Sequence, residues 1–348
     1  MRNTPLSDLS GAGKGPATHV IILDGTLSSL DPDFQTNAGR AFSLLNRQGA
    51  ALSVYYEPGL QWTSWRSALD VLTGRGINGQ IRRAYGCLAK RYRPGDRIFL
   101  FGYSRGAYAV RSLAGVIDKI GLLRADAVSK QKVRAAYGHY ESATDSPESR
   151  AFSQTYCHSG VKIEMIGVWD TVKSLGINAP VLWRFSEHLH AFHNHELSPG
   201  VQHGYHALAH DETRVAYAPV LWTSHDAFEG RVVQMWFPGT HGDVGGQLGG
   251  FEAARPLANI PLVWILSKAE ALGLPLPAHW RDALPQSATA PMLGTFRGHG
   301  KILMIRKKRL VGRDPSEQLH PTIAARAKAL GQQTGSAKGL FAKRFSQM

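Results

Sequence analysis

Residues 99–115 read FLFGYSRGAYAVRSLAG, and no other stretch restricts the fold as tightly. An apolar run stops at Gly102-Tyr103-Ser104-Arg105-Gly106 and resumes at once with helical spacing. A chain does this by leaving a buried strand, turning on two glycines, and entering a helix that packs back on the strand. Ser104 then sits on a crowded, exposed corner, a poor structural position and a good one for a nucleophile. The alternative is a glycine-rich turn whose serine caps the helix.

The rest of the chain alternates in the same way. HVIIL (19–23) is a β-branched run ending at Asp24-Gly25-Thr26, and ALSVYYEPG (51–59) is a second strand closed by Pro58-Gly59. Residues 78–92 have helical period, and Pro94-Gly95-Asp96 turns into the strand RIFLFG. A helix is expected from Arg105 to Ile120. VKIEMIGVWD (161–170) and RVVQMWFPG (231–239) read as further strands, and ARPLANIPLVWILSKAEALG (254–273) as a late helix. Strands alternating with helices predict an α/β fold with a mostly parallel, doubly wound sheet. At 348 residues and 43% hydrophobic, the chain can bury a large core in one domain. That domain is placed at 18–330, after a polar, Gly/Pro-rich lead over 1–17 expected to be disordered. A basic tail follows over 331–348. Residues 174–202 suit a small inserted cap, where Trp183, Phe185 and Phe192 would line an apolar acyl pocket or simply pack the cap.

In parallel sheets, functional side chains gather beyond the carboxyl ends of the strands. Asp24, Ser104, Asp170 and His241 all follow an expected strand. Gly-x-Ser-x-Gly between strand and helix is the nucleophile elbow of α/β hydrolases, where the order Ser, Asp or Glu, then His is expected. Fifteen histidines are too many to choose from by type, so position must decide. His241 lies in the glycine-rich loop of VVQMWFPGTHGDVGG, which can carry an imidazole across the sheet end. Asp170 closes its strand between Ser104 and His241. Asp170 could instead cap the next turn, and His241 could be a loop residue without a task. Asp243, two residues from His241, is the competing acid and is expected to shape the loop. The N–H of Arg105, at the helix start, is the expected first oxyanion donor.

Several blocks occur in a fixed order: LDGT…TN, YYEPG, AYGCLAKRYRPGD, FLFGYSRGAYAVRSLAG, GVWDTVKSLG, HALAHDETR, WFPGTHGDVGG and LHPTIAAR. Over about residues 18–325 the chain resembles a bacterial and fungal α/β-hydrolase family. That family includes the catalytic domains of type VI secretion phospholipase effectors of the first lipase class. The resemblance puts Ser104, Asp170 and His241 on the triad. It puts Asp24-Gly25-Thr26 on the oxyanion-side loop, with Gly25 as second donor. It implies hydrolysis of carboxylic esters, in the effectors those of glycerophospholipids, with no cofactor. Two alternatives stay open: an esterase or thioesterase acting on a soluble small molecule, and a non-catalytic hydrolase-fold binding protein.

Other signals fail on their chemistry. GAGKG lacks the Ser or Thr a phosphate loop needs after Lys14, and it precedes its strand. ILDGTL lacks the second carboxylate of an aspartyl phosphatase, having Ile22 there. The histidines of HLHAFHNH (His188, His190, His193, His195) match no zinc spacing, so no metal is expected. Cys87 and Cys157 form no C-x-x-C pattern, which suits a reducing compartment. The N-terminal residues lack the apolar core of a signal peptide. A cytoplasmic location is therefore expected, with export by a route needing no cleavable signal left open.

Net charge is +14, and from Arg297 onward twelve Lys/Arg face only Asp314 and Glu317, so about +10 of it lies there. This concentration, with RKKR at 306–309, reads either as a solvated face or as attraction to an anionic membrane surface. No nucleic-acid motif accompanies it, so nucleic acid is not an expected partner.

Overall fold

The computed structural model describes residues 16–59, 75–142, 145–172, 196–224, 231–296 and 305–331. The strands are β1 (Thr18–Leu23), β2 (Ser53–Glu57), β3 (Arg97–Tyr103), β4 (Leu122–Leu123), β5 (Cys157–His158), β6 (Ile163–Trp169), β7 (Val201–Ala209), β8 (Arg231–Phe237) and β9 (Glu317–Leu319). Seven of them form one sheet in the order β2-β1-β3-β6-β7-β8-β9, with every pairing parallel. β4 and β5 make a separate antiparallel pair. The helices are α1 (Asn37–Leu45), α2 (Arg75–Arg91), α3 (Arg105–Lys119), α4 (Lys130–Ser142), α5 (Pro147–Tyr156), α6 (His241–Gly245), α7 (Arg255–Ala271) and α8 (Pro321–Ala329).

Strand periodicity divides the core in two. Ile21 and Leu23 of β1 and Ile98 and Leu100 of β3 face one side, where Ile81 and Leu88 of α2, Leu113 of α3 and Val133 of α4 cover them. Val20, Ile22, Phe99 and Phe101 face the other side, under Ala38 and Ala41 of α1 and Leu257 and Ile265 of α7. Burial on both faces is why these strands read as unbroken apolar runs. The expected strands and the helices at 78–92, 105–120 and 254–273 are all present, within a few residues of their expected ends.

The sequence reading missed β7, VQHGYHALA, because His203, Gly204 and His206 interrupt its apolar character. Yet His206 is fully buried, and a Cβ on Gly204 would lie 2.9 Å from Leu197 Cδ2, so a larger residue there would have to displace the Leu197 side chain. Of the lead at 1–17, the cap at 174–202 and the tail at 331–348, only residues 16, 17, 196–202 and 331 are described. Trp183, Phe185, Phe192 and the four histidines of HLHAFHNH lie outside the described residues. Among those described, no helix is long and apolar enough to cross a membrane.

The turn after β1 is fastened to the start of α3. A Cβ on Gly106 would come within 2.1 Å of Leu23 O, and one on Gly102 within 2.6 Å of Gly106 O. Asp24 anchors the turn from below, with only 1% of its surface exposed. Its Oδ2 accepts from Thr36 Oγ1 at 2.6 Å and Tyr56 Oη at 2.7 Å, and its Oδ1 accepts from Gly25 N at 2.6 Å. Burial pushes this carboxyl up to about 6, against the pull of those hydrogen bonds.

Three outcomes are expected. Gly106→Ala should cost about 1–3 kcal/mol in urea unfolding because backbone atoms occupy the space. Gly138→Ala on α4, where a Cβ meets nothing within 4 Å, should instead gain ~0.5–1 kcal/mol. Equal shifts would contradict the close strand–helix packing. For Asp24 the folded pKa exceeds the unfolded value, so its contribution is fully present below about pH 4 and lost as pH rises towards about 6. Relative to Asp24→Asn, the wild-type protein should lose up to about 1.4 kcal/mol per pH unit across that window and stay level above it. A flat difference between the two proteins would contradict a raised Asp24.

Candidate active site

Ser104 and Asp170 occupy neighbouring strand ends, and both have left-handed backbones. Ser104 has φ 56° and ψ −118° where β3 turns into α3, and Asp170 has φ 41° after β6. Such conformations cost on the order of 1–3 kcal/mol for residues with a side chain and persist only where surrounding bonds impose them. Here Ser104 N donates to Trp169 O at 3.0 Å and Asp170 N to Ala207 O at 2.7 Å. The two side chains are thereby held beyond the carboxyl edge of the sheet.

His241 reaches them from the first position of α6, after β8. Its Nε2 lies 2.9 Å from Ser104 Oγ, and its Nδ1 lies 2.6 Å from Asp170 Oδ2. The imidazole is stacked between two rings, with Tyr103 at 5.0 Å and Tyr217 at 4.6 Å between centroids. All three side chains lie inside the protein, with Ser104 7% exposed, His241 4% and Asp170 0%, so the Ser104 corner is crowded but not exposed as the sequence suggested. A hydroxyl bonded to an imidazole that a carboxylate orients is the arrangement that makes a serine nucleophilic.

Asp243 does another job. Its Oδ2 accepts from Thr240 N at 2.8 Å and Thr240 Oγ1 at 2.7 Å, and its Oδ1 from Leu293 N at 2.7 Å. These bonds tie Asp243 into the loop that carries His241. Asn37, of the TN pair, reinforces the loop by donating from Nδ2 to Val244 O and Ala258 O, each at 2.9 Å.

The Asp24-Gly25-Thr26 loop departs from expectation at Gly25. Its N–H, expected to face the oxyanion, is donated to Asp24 Oδ1, because a buried carboxylate recruits every donor in reach. Gly25 still has to be glycine: a Cβ would lie 2.6 Å from Tyr103 Cδ1 and 3.3 Å from Ser104 Cβ. Next to it, Thr26 Oγ1 is buried with no hydrogen-bond partner among the described residues. Thr26 O accepts from Gln247 Nε2 at 2.8 Å, which ties this loop to the end of α6. Arg105 is the first residue of α3, so its N–H stands at the helix N-terminus beside Ser104.

Three charged residues near the site were given no role by the sequence, although Glu212 and Arg214 lie in the HALAHDETR block and Arg309 in RKKR. Glu212 accepts His241 N at 3.0 Å and pairs with Arg214 at 2.6 Å, and Arg214 lies 4.4 Å over the ring of Tyr217. The third, Arg309, corrects the reading of RKKR as one exposed patch. Lys307 and Lys308 are exposed, but the Arg309 side chain is 5% exposed and contacts Asp170 Oδ1 at 2.6 Å and Oδ2 at 2.9 Å. Burial penalises the Asp170 charge, yet the Arg309 guanidinium and the bond from His241 outweigh it and hold the carboxyl well below the usual range.

The chain is similar to several known proteins. It is 28% identical over 234 residues to an uncharacterized protein of Saccharomyces cerevisiae, covering 59% of this chain and 32% of the yeast protein. An uncharacterized Pseudomonas aeruginosa protein of known structure superposes with a TM-score of 0.43 at 15% identity, over 77% of this chain and 48% of the other. The Tle1 effector, in its complex with the VgrG spike of the type VI secretion system, superposes with a TM-score of 0.34 at 16% identity, over 68% and 52%. The chain thus spans about a third of the yeast relative and about half of each solved protein. The profile of the T6SS phospholipase effector Tle1-like catalytic domain matches residues 18–268, most of the sequence, and the chain belongs to that family.

Proposed function

We propose that the chain hydrolyses carboxylic esters, the acyl esters of phospholipids among them, through Ser104, His241 and Asp170. The observation that carries this reading is the unbroken chain of bonds from Ser104 Oγ through the imidazole to Asp170. Ser104 Oγ attacks the ester carbonyl carbon while His241 Nε2 takes its proton. The imidazolium then protonates the leaving alcohol, which departs as the acyl–Ser104 ester forms. Water, deprotonated by the same imidazole, releases the acid and restores the serine. Asp170 fixes the Nδ1–H tautomer and balances the transient imidazolium charge. The Arg105 N–H is the first oxyanion donor. With the Gly25 N–H donated to Asp24, the Thr26 hydroxyl, buried and without a hydrogen-bond partner among the described residues, is the second.

The lipid substrate is supported by family membership and by the surface beside the site. Phe296, Ile305 and Leu310 are 70%, 63% and 55% exposed, and the exposed Lys307 and Lys308 lie between the last two. Apolar side chains interleaved with cations suit the interface of an anionic membrane. The family is one of secreted effectors, and delivery by that route fits a phospholipid substrate better than a cytoplasmic task.

With a p-nitrophenyl ester, Ser104→Ala should abolish turnover while the protein stays folded. Asp170→Asn should lower kcat by about 10³–10⁴, because the wrong imidazole tautomer is then favoured. Asp243→Asn should cost about tenfold or less, since it acts only through loop shape. The opposite ranking would move the orienting acid to Asp243. On vesicles, co-sedimentation should rise with anionic lipid and fall with salt. Replacing Lys307 and Lys308 by Gln should weaken it about tenfold or more, each charge being worth roughly 1 kcal/mol at such a surface. Sedimentation indifferent to lipid charge would favour a soluble ester.

A further inference from the structure

We infer that Arg309 is a positioning residue of this site, whose planar guanidinium fork fixes the Asp170 carboxylate in the orientation that presents Oδ2 to His241 Nδ1. The inference rests on the proposed roles of Ser104, His241 and Asp170.

Both Arg309 Nη atoms engage the carboxylate, Nη1 on Oδ1 at 2.6 Å and Nη2 on Oδ2 at 2.9 Å. The same two nitrogens are fixed from behind, Nη1 by Ala209 O at 2.8 Å and Nη2 by Tyr217 O at 2.5 Å. The fork therefore cannot follow the carboxylate if it rotates; the carboxylate must follow the fork. Among the described residues, the donors left to Asp170 without Arg309 are Ala209 N on Oδ1 at 3.0 Å and His241 Nδ1 on Oδ2 at 2.6 Å, and one bond on each oxygen leaves the plane of a carboxylate free to swing. Two parallel N–H bonds do not, because they set its plane.

Charge alone does not account for the pairing. A cation on Asp170 competes with the imidazolium for the same negative charge, so its Coulomb effect opposes base action by His241. A lysine could neutralise Asp170 equally well, but it could not meet both oxygens and two carbonyls with one rigid plane. The geometric role is the one that only arginine fills.

Arg309 comes from far along the chain. Residues 305–307 are laid against 213–215, with Val215 N donating to Ile305 O at 3.1 Å and Lys307 N to Thr213 O at 2.7 Å. This pairing places Arg309 over Tyr217 O and the end of β7. The same Tyr217 supplies the ring that stacks on His241 at 4.6 Å. One strap thus registers the acid and the base together.

The test is the second-order rate constant for labelling by a fluorophosphonate, measured beside thermal unfolding of each variant. The wild-type protein should label and Ser104→Ala should not; if Ser104→Ala labels as the wild type does, the proposed triad itself fails. Given that result, Arg309→Lys and Arg309→Gln should label about 10- to 100-fold more slowly, the loss seen when a partner that orients a working side chain is removed. In an Asp170→Asn background the same substitutions should cost no more than about threefold, because the carboxylate they orient is gone. A merely structural arginine would give the same loss in both backgrounds, and that additivity would overturn the inference. So would labelling within about twofold of wild type by either folded single variant. Should Arg309→Gln fail to fold, Arg309→Lys, which keeps the buried charge paired, decides the matter.

Discussion

The Asp170 carboxylate is a buried charge, and most of the site follows from how that charge is satisfied. Among the described residues, four donors meet its two oxygens: Ala209 N, the two Nη of Arg309, and His241 Nδ1. They come from the end of β7, from the strap at 305–310 and from the loop after β8, segments distant in sequence. A buried carboxylate left short of donors is costly, so these segments can rest together only where all four bonds close. The requirement that satisfies the charge also sets the imidazole within hydrogen-bond distance of Ser104.

A second constraint is steric. β3, its turn and α3 pass so close to β1 that Gly102 and Gly106 admit no side chain, and Gly25 presses on Tyr103 and Ser104. Packing at this density leaves the strained Ser104 backbone no relaxed alternative. Asp24 maintains the turn by taking the Gly25, Thr36 and Tyr56 donors, and gives up the Gly25 N–H in doing so. Stability near neutral pH is spent on holding that carboxylate charged and buried. The loop it anchors is the one that faces the serine.

Much of this was legible in the residues themselves. Buried parallel strands betray themselves as apolar runs, and Gly-x-Ser-x-Gly at a strand–helix junction has few structural solutions. Asp170 and His241 stand out in the sequence because chemistry at a parallel sheet gathers at strand ends, and both residues close or follow a run that reads as strand. β7 was not found, since His206 and Gly204 are polar or small for reasons that exist only in three dimensions. Arg309 was hidden more deeply. In RKKR it looks like its exposed neighbours, and only the pairing of 305–307 with 213–215 separates it from them. Gly25 reads from the sequence as an oxyanion donor, while in the structure its N–H goes to Asp24, because no local pattern tells which carboxylate will take an N–H.

The central claim is that Ser104 forms a covalent acyl intermediate. The most direct measurement is mass spectrometry of protein quenched in acid during turnover of an activated ester, followed by peptide mapping. A mass increase equal to the acyl group is expected on the peptide containing Ser104, and none in Ser104→Ala. An acyl group found on another residue, with Ser104 unmodified while product accumulates, would contradict it.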